Sequence, residues 1–229
     1  MNVAIKWHED MWQEIKDAAL FTIHKTKGKY PDENWKKKIL MAEHSPIRTG
    51  RLIIDIYDIP SFVATHFVRH HIGIEKYVST YRNDRVDYDE IPNRLTPVNM
   101  KIDIDFQAFI NISRKRYCYQ ASKETRLVWI AIMSKVNEIE PELYWVCTPE
   151  CIYRCGCPEM FKCKEGFFGE FLKFSIVHGK FPVIVFSKIK SLLLPISNVK
   201  LFSDLFAIFI ILSSICSLFT NKRKYAHLL

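Results

Sequence analysis

The stretch Arg51–Arg85, RLIIDIYDIPSFVATHFVRHHIGIEKYVSTYRNDR, changes its periodicity at Pro60. Before the proline, Leu52, Ile54 and Ile56 fall on one face and Ile53, Tyr57 and Ile59 on the other. Both faces are largely apolar, so the segment reads as a strand covered on both sides. Pro60 suits the first turn of a helix, where its missing N–H is not needed. Phe62, Val63, His66, Phe67 and His70 then follow at the spacing of one helix face. Between Phe62 and Arg85 the chain gathers His66, Arg69, His70 and His71 within two turns and runs into a loop rich in Ser, Tyr and Arg.

Upstream, Trp7, Met11, Trp12, Ile15, Ala18 and Ala19 mark a helix with one apolar face over residues 3–24. The polar run HKTKGKYPDEN is a loop, and Asp32 or Asn34 caps a helix through Lys38 to Ala42. Downstream, residues 82–99 carry Asn83, Asp84, Pro92, Asn93 and Pro97 and read as a loop. Met100–Tyr119 reads as a helix on Phe106, Phe109, Ile110 and Ile112, interrupted by Asn111, Arg114 and Arg116. Ser122 caps the next helix, where Trp129, Ile132, Met133 and Val136 repeat, and Pro141 closes it.

The expected organisation is an α/β domain over residues 1–145, a Cys-rich extension over 146–165 and a hydrophobic tail over 166–229. The extension holds Cys147, Cys151, Cys155, Cys157 and Cys163 and lacks the paired CxxC of a zinc ribbon. A structural metal and buried free thiols both accommodate that spacing. Leu201–Phe219 is apolar and long enough to span a membrane, with Asn221-Lys222-Arg223-Lys224 behind it. The alternative is a tail that does not belong to the folded domain.

Composition narrows the function. The net charge of +8 favours an anionic partner. Seven glycines and no GxGxxG or GxxxxGK[ST] run exclude the usual phosphate cradles. No apolar leader follows Met1, so a cytoplasmic protein with reduced thiols is expected; membrane association through residues 201–219 is the alternative. His66 and His70 have zinc-ligand spacing, but Phe67 stands where the metalloprotease pattern has Glu, and no metal is assigned to them. Arg69 suits a phosphate or an electron-rich ring.

These features, in this order, resemble the flavin-dependent thymidylate synthase family over roughly residues 15–138. His44-Ser45-Pro46 precedes the strand; Arg69-His70 match the start of the family signature RHRxxSxNExSxRY, and Ser79 matches its second Ser. Asn111 and Arg116 have the family's five-residue separation, with Ala121 five further on. His71, Ile74, Lys76 and Tyr77 depart from the signature, and its closing pair is inverted to Tyr81-Arg82. Asp105 and Gln107 stand where the family has an Asn and an Arg that help hold flavin.

The resemblance implies an antiparallel-containing sheet with packed helices, as in thymidylate synthase-complementing proteins. It also implies methylation of dUMP to dTMP with methylenetetrahydrofolate and NADPH on bound FAD, in a homotetramer. Ser45, Arg69, His70, His71 and Asn111 would contact the flavin. His66, Arg69, Ser79 and Arg116 would face dUMP, with Arg82 supplying the signature's late charge and Arg116 the catalytic cation. Arg85 and Arg94 are candidates for the nucleotide phosphate. No nucleic acid is expected as a partner. A non-catalytic flavin- or nucleotide-binding homologue, anchored by the tail, is the alternative function.

Overall fold

Four strands, β1 (Asn2–Trp7), β2 (Arg51–Pro60), β3 (Ile74–Val78) and β4 (Pro97–Asp105), pair antiparallel in the order β1-β2-β4-β3. The computed structural model describes residues 1–163 except 8–10, 27, 88–90 and 155, all within one unit of the chain. The sheet buries one face: Leu52, Ile54 and Ile56 lie beside Met100, Ile102 and Ile104, with Val3 and Ile74 at the flanks. Over this core pack α1 (Met11–Phe21), α2 (Glu33–Ala42), α3 (Ser61–Val68), α4 (Phe106–Arg116) and α5 (Lys123–Ile139), through residues such as Ile15, Leu40, Phe67, Phe109 and Trp129. Two short helices, α6 (Pro141–Val146) and α7 (Glu150–Tyr153), follow, and Val146 and Cys147 join the same core.

The sequence expectation of a mixed α/β fold holds, with corrections at the element level. Residues 3–24 are not one helix. Val3 and Ile5 alternate with the exposed Asn2, Ala4 and Lys6 and pair with Ile56 and Ile54 of β2, and the helix begins only at Met11. Met100–Asp105 is likewise strand: Val98, Met100, Ile102 and Ile104 are buried at period two, and Asp105 then caps α4 through the Ala108 N–H at 2.7 Å. The loop read over residues 82–99 therefore ends at Thr96, and Ile74–Val78 is strand rather than loop. Strand β2 is covered on one side only. Its other face carries Ile53 and the exposed Tyr57, and the cross-strand pair Asp55–Lys101 lies among them. Asp32 caps α2, and Ser122 caps α5, as their positions predict.

Candidate functional site

Helix α3 opens after Pro60 and buries Val63, Ala64 and Phe67, which turns His66 toward the start of α5. It stops at Arg69, and the His70 N–H bonds the Phe67 carbonyl at 3.1 Å in the closing turn. Gly73, at φ 70°, reverses the chain into β3. A side chain there would bring a Cβ to 2.7 Å from Asp105 Cγ and 3.0 Å from Ala108 Cβ, so glycine lets this turn pack on the α4 cap. Helix α4 then delivers Arg116 to the same place from its last turn.

Arg116 Nε donates to His70 Nε2 at 2.9 Å, and Arg116 Nη2 donates to the His66 carbonyl at 2.6 Å. His70 Nε2 must therefore be unprotonated. Burial, then Arg116, Lys76 and His71, push the His70 pKa down to about 4. Lys76 Nζ bonds the His70 carbonyl, closing the turn from β3. His66 Nδ1 lies 2.7 Å from Thr125 Oγ1, which is 2.9 Å from Ser122 Oγ at the α5 cap. Burial lowers the His66 pKa, with Arg116, Arg69 and Arg94 acting in the same direction and Glu124 against them. Burial and Arg69 also lower that of Arg116.

A cavity of about 460 Å³ opens beside His66, lined by Pro60, Phe62, Arg94, Leu95, Ser122 and Glu124. The Arg94 guanidinium lies 4.9 Å from the Phe62 ring centroid. Ser61 holds that loop in place: its Oγ donates to the Arg94 carbonyl at 3.0 Å, and the Phe62 N–H bonds the same carbonyl at 3.2 Å. The volume suits a small ligand. Arg94 on the wall, with Arg69 and Arg116 also acting on His66, biases this open site toward an anion, and Glu124 on the same wall offsets part of that bias. Sequence reasoning left Arg94 and Arg85 as equals; the structure puts Arg94 on the cavity and Arg85 in the turn after Arg82. It missed Thr125 as the partner of His66, since no spacing links residues 59 apart.

Other expected site residues lie elsewhere. Asn111 accepts hydrogen bonds from Arg114 at 3.0 Å and Gln107 at 3.4 Å, and both of those also bond Glu43. Five residues along a helix turn the side chain by about 140°, so Asn111 and Arg116 leave α4 on different sides. Ser45 is exposed at the head of the short 3-10 turn Ser45–Arg48. Ser79 Oγ accepts the Asn99 N–H at 3.0 Å, at the β3–β4 end. Arg82 is exposed and bonded twice to Asp84, at 3.0 and 2.6 Å. His71 is exposed beside His70. Asp105 and Gln107 serve as helix cap and Glu43 partner. Within one chain Arg116 bonds His70 and the His66 carbonyl, whereas Ser79 and Arg82 of the nucleotide-side set and Asn111 of the flavin-side set are bonded elsewhere.

Among the described residues no group of three or more His, Cys, Asp or Glu side chains is arranged to hold a metal, and no helix is long and apolar enough to cross a membrane. Cys155 and the segment 201–219 lie outside the described residues.

No protein-family model matches the chain, and no curated protein matches it in sequence. Solved structures do match. The flavin-dependent thymidylate synthase ThyX of Helicobacter pylori, solved with FAD and dUMP, aligns over 65% of this chain and 100% of its own, with a TM-score of 0.53 and 12% identity. The mixed α/β architecture, with its four-stranded antiparallel sheet and packed helices, is thus similar to the ThyX fold.

Proposed function

We propose that this chain binds dUMP in the cavity beside His66 and methylates it to dTMP, using methylenetetrahydrofolate and NADPH with FAD bound between copies of the chain. The observation that carries the reading is a cavity with Arg94 and His66 on its wall and Arg116 bonded to the His66 carbonyl, in a fold similar to one solved with FAD and dUMP. Arg94, with Arg69, takes the phosphate. Arg116 stabilises the negative charge that develops on the pyrimidine when its ring is attacked, as a fixed cation does in a site screened from water. His70, neutral, holds the Arg116 guanidinium in place.

The flavin supplies the hydride chemistry, and the protein supplies its orientation. Ser45 and Asn111 of one copy would meet Arg69, His70 and His71 of another, because in one chain they stand apart. Ser79 and Arg82 would reach the nucleotide only by leaving Asn99 and Asp84.

A second reading, nucleotide binding without turnover, is favoured by the engagement of Arg116 with both His70 and the His66 carbonyl. The full chain separates the two when examined for a flavin absorbance spectrum, dUMP binding by calorimetry and NADPH-dependent methylation of dUMP. Turnover supports the first reading. Binding without turnover supports the second, and a colourless protein that binds neither added FAD nor dUMP rejects both. Arg116→Ala abolishes methylation while leaving flavin bound; surviving activity would remove Arg116 from its role.

A further inference from the structure

Two polar side chains on the cavity wall are joined behind it by a third. His66 and Ser122 line the cavity, and the residue that links them, Thr125, is fully buried. Thr125 Oγ1 lies 2.7 Å from His66 Nδ1 and 2.9 Å from Ser122 Oγ, and these are its hydrogen-bond partners among the described residues. Ser122 Oγ also accepts the Thr125 N–H at 3.3 Å as the cap of α5, which fixes the two hydroxyls relative to each other. His66 reaches them from α3, 59 residues away in the sequence. Its Nδ1 is thereby committed, and Nε2 is the ring nitrogen left for a ligand.

One proton decides how this chain of hydrogen bonds runs. A threonine hydroxyl donates once, and a buried hydroxyl that donated to nothing would carry the desolvation cost of an unmade bond. Thr125 therefore donates to one neighbour and accepts from the other. If it donates to Ser122, His66 Nδ1 carries the ring proton, Nε2 is a bare acceptor, and the Ser122 hydroxyl is free to donate into the cavity. If it donates to His66, Ser122 uses its proton on Thr125 and offers only a lone pair, while Nε2 carries the ring proton. In either direction the two ends present one donor and one acceptor. The ring must be neutral for this; burial and the guanidinium groups of Arg116, Arg69 and Arg94 favour that form, against Glu124.

We propose that Thr125 is a positioning residue of this site: its hydroxyl locks His66 in one neutral tautomer and couples it to Ser122, so that the wall offers a matched donor and acceptor to a flat heterocycle carrying C=O beside N–H. The inference rests on the dUMP reading for its ligand, whose uracil ring presents such an edge, whereas the lock belongs to the free chain. The pair supplies orientation, and Arg94 on the same wall supplies charge. A ring with acceptors and no N–H meets the wrong group at one end of the pair, and that mismatch is the source of selection.

The test reads the tautomer directly, by nitrogen NMR of the full chain carrying isotope-labelled histidine at neutral pH. His66 is assigned among the eight histidines by the signals lost in His66→Gln. The unaltered chain and Thr125→Ser should each show one proton-bearing and one bare ring nitrogen for His66. Thr125→Val should show the averaged pair of an imidazole free to exchange tautomers. By calorimetry, dUMP affinity should fall about three- to tenfold in Thr125→Val and recover in Thr125→Ser. A dUMP methylated at the ring N–H should bind the unaltered chain more weakly than dUMP, and that gap should narrow in Thr125→Val. A single tautomer in a chain that binds no dUMP supports the lock and removes only the nucleotide reading. Averaged His66 nitrogens in the unaltered chain would overturn the proposal even where a variant fails to fold. So would a tautomer unchanged in Thr125→Val, or dUMP bound equally well by that variant.

Discussion

Gly73→Ala probes how the site is built onto the sheet. Gly73 has φ 70°, a conformation that costs a residue with a Cβ about 1–2 kcal/mol. The added Cβ also stands 2.7 Å from the Cγ of Asp105, whose other carboxylate oxygen caps α4 through Ala108. Displacing that carboxylate forfeits the cap, about 1 kcal/mol. The Ala108 Cβ at 3.0 Å leaves little room on the other side. The expected loss is therefore about 2–3 kcal/mol, a large part of a typical domain stability of about 5–15 kcal/mol.

Urea unfolding should show this as a lower midpoint with an unchanged m-value. Asp105→Ala alone should cost about 1 kcal/mol. The double variant should cost less than the sum, because no carboxylate then faces the new Cβ. Strict additivity, or a Gly73→Ala loss below about 0.5 kcal/mol, would refute this account of the turn.

Two pH-dependent predictions follow from buried groups. His70 is held near 4 in the folded chain, below its ordinary 6.5, so the unfolded chain binds the extra proton between those values. Its contribution is complete above pH 6.5 and is lost as pH falls toward about 4. His70→Gln, which still accepts from Arg116 but does not titrate, should flatten that loss in denaturation measured from pH 7 to 4.5; an unaltered slope would refute it. Trp12 Nε1 donates to Glu140 Oε2 at 2.7 Å in a buried pair, so Trp12→Phe should cost about 1–3 kcal/mol. Burial already raises the Glu140 pKa above 4.5, so Glu140 favours folding at acid pH and less as pH rises through its folded pKa. Without the indole donor that rise steepens, and the Trp12→Phe deficit should grow from pH 4 to 7; a constant deficit would show that lost ring packing alone is being measured.

Much of the fold was legible where one chemical signal acted locally. Asp32 and Ser122 were recognisable caps because capping needs only a side-chain oxygen and an N–H three residues on. Pro60 and the apolar run behind it marked α3 for the same reason. The errors fell where strand and helix meet without a breaker. Residues 3–24 and 100–119 each join a strand to a helix, and a helix template laid across the junction absorbed the alternating Val3, Ile5, Met100, Ile102 and Ile104. Pairing with β2 decides those segments, and pairing is not a local property.

By itself the sequence determined a mixed α/β domain and the His66–Arg116 neighbourhood. Hydrophobic period, caps and one proline are short-range instructions, and the order of motifs along the chain carried the rest. Only the tertiary structure decided which charges share a site. It set Arg116 against His70, placed Arg94 on the cavity and sent Asn111 to Glu43's side of α4 through Arg114. Each outcome depends on how the helices turn on the sheet, and that is set by burial of Phe67, Phe109 and Trp129 rather than by the polar residues themselves.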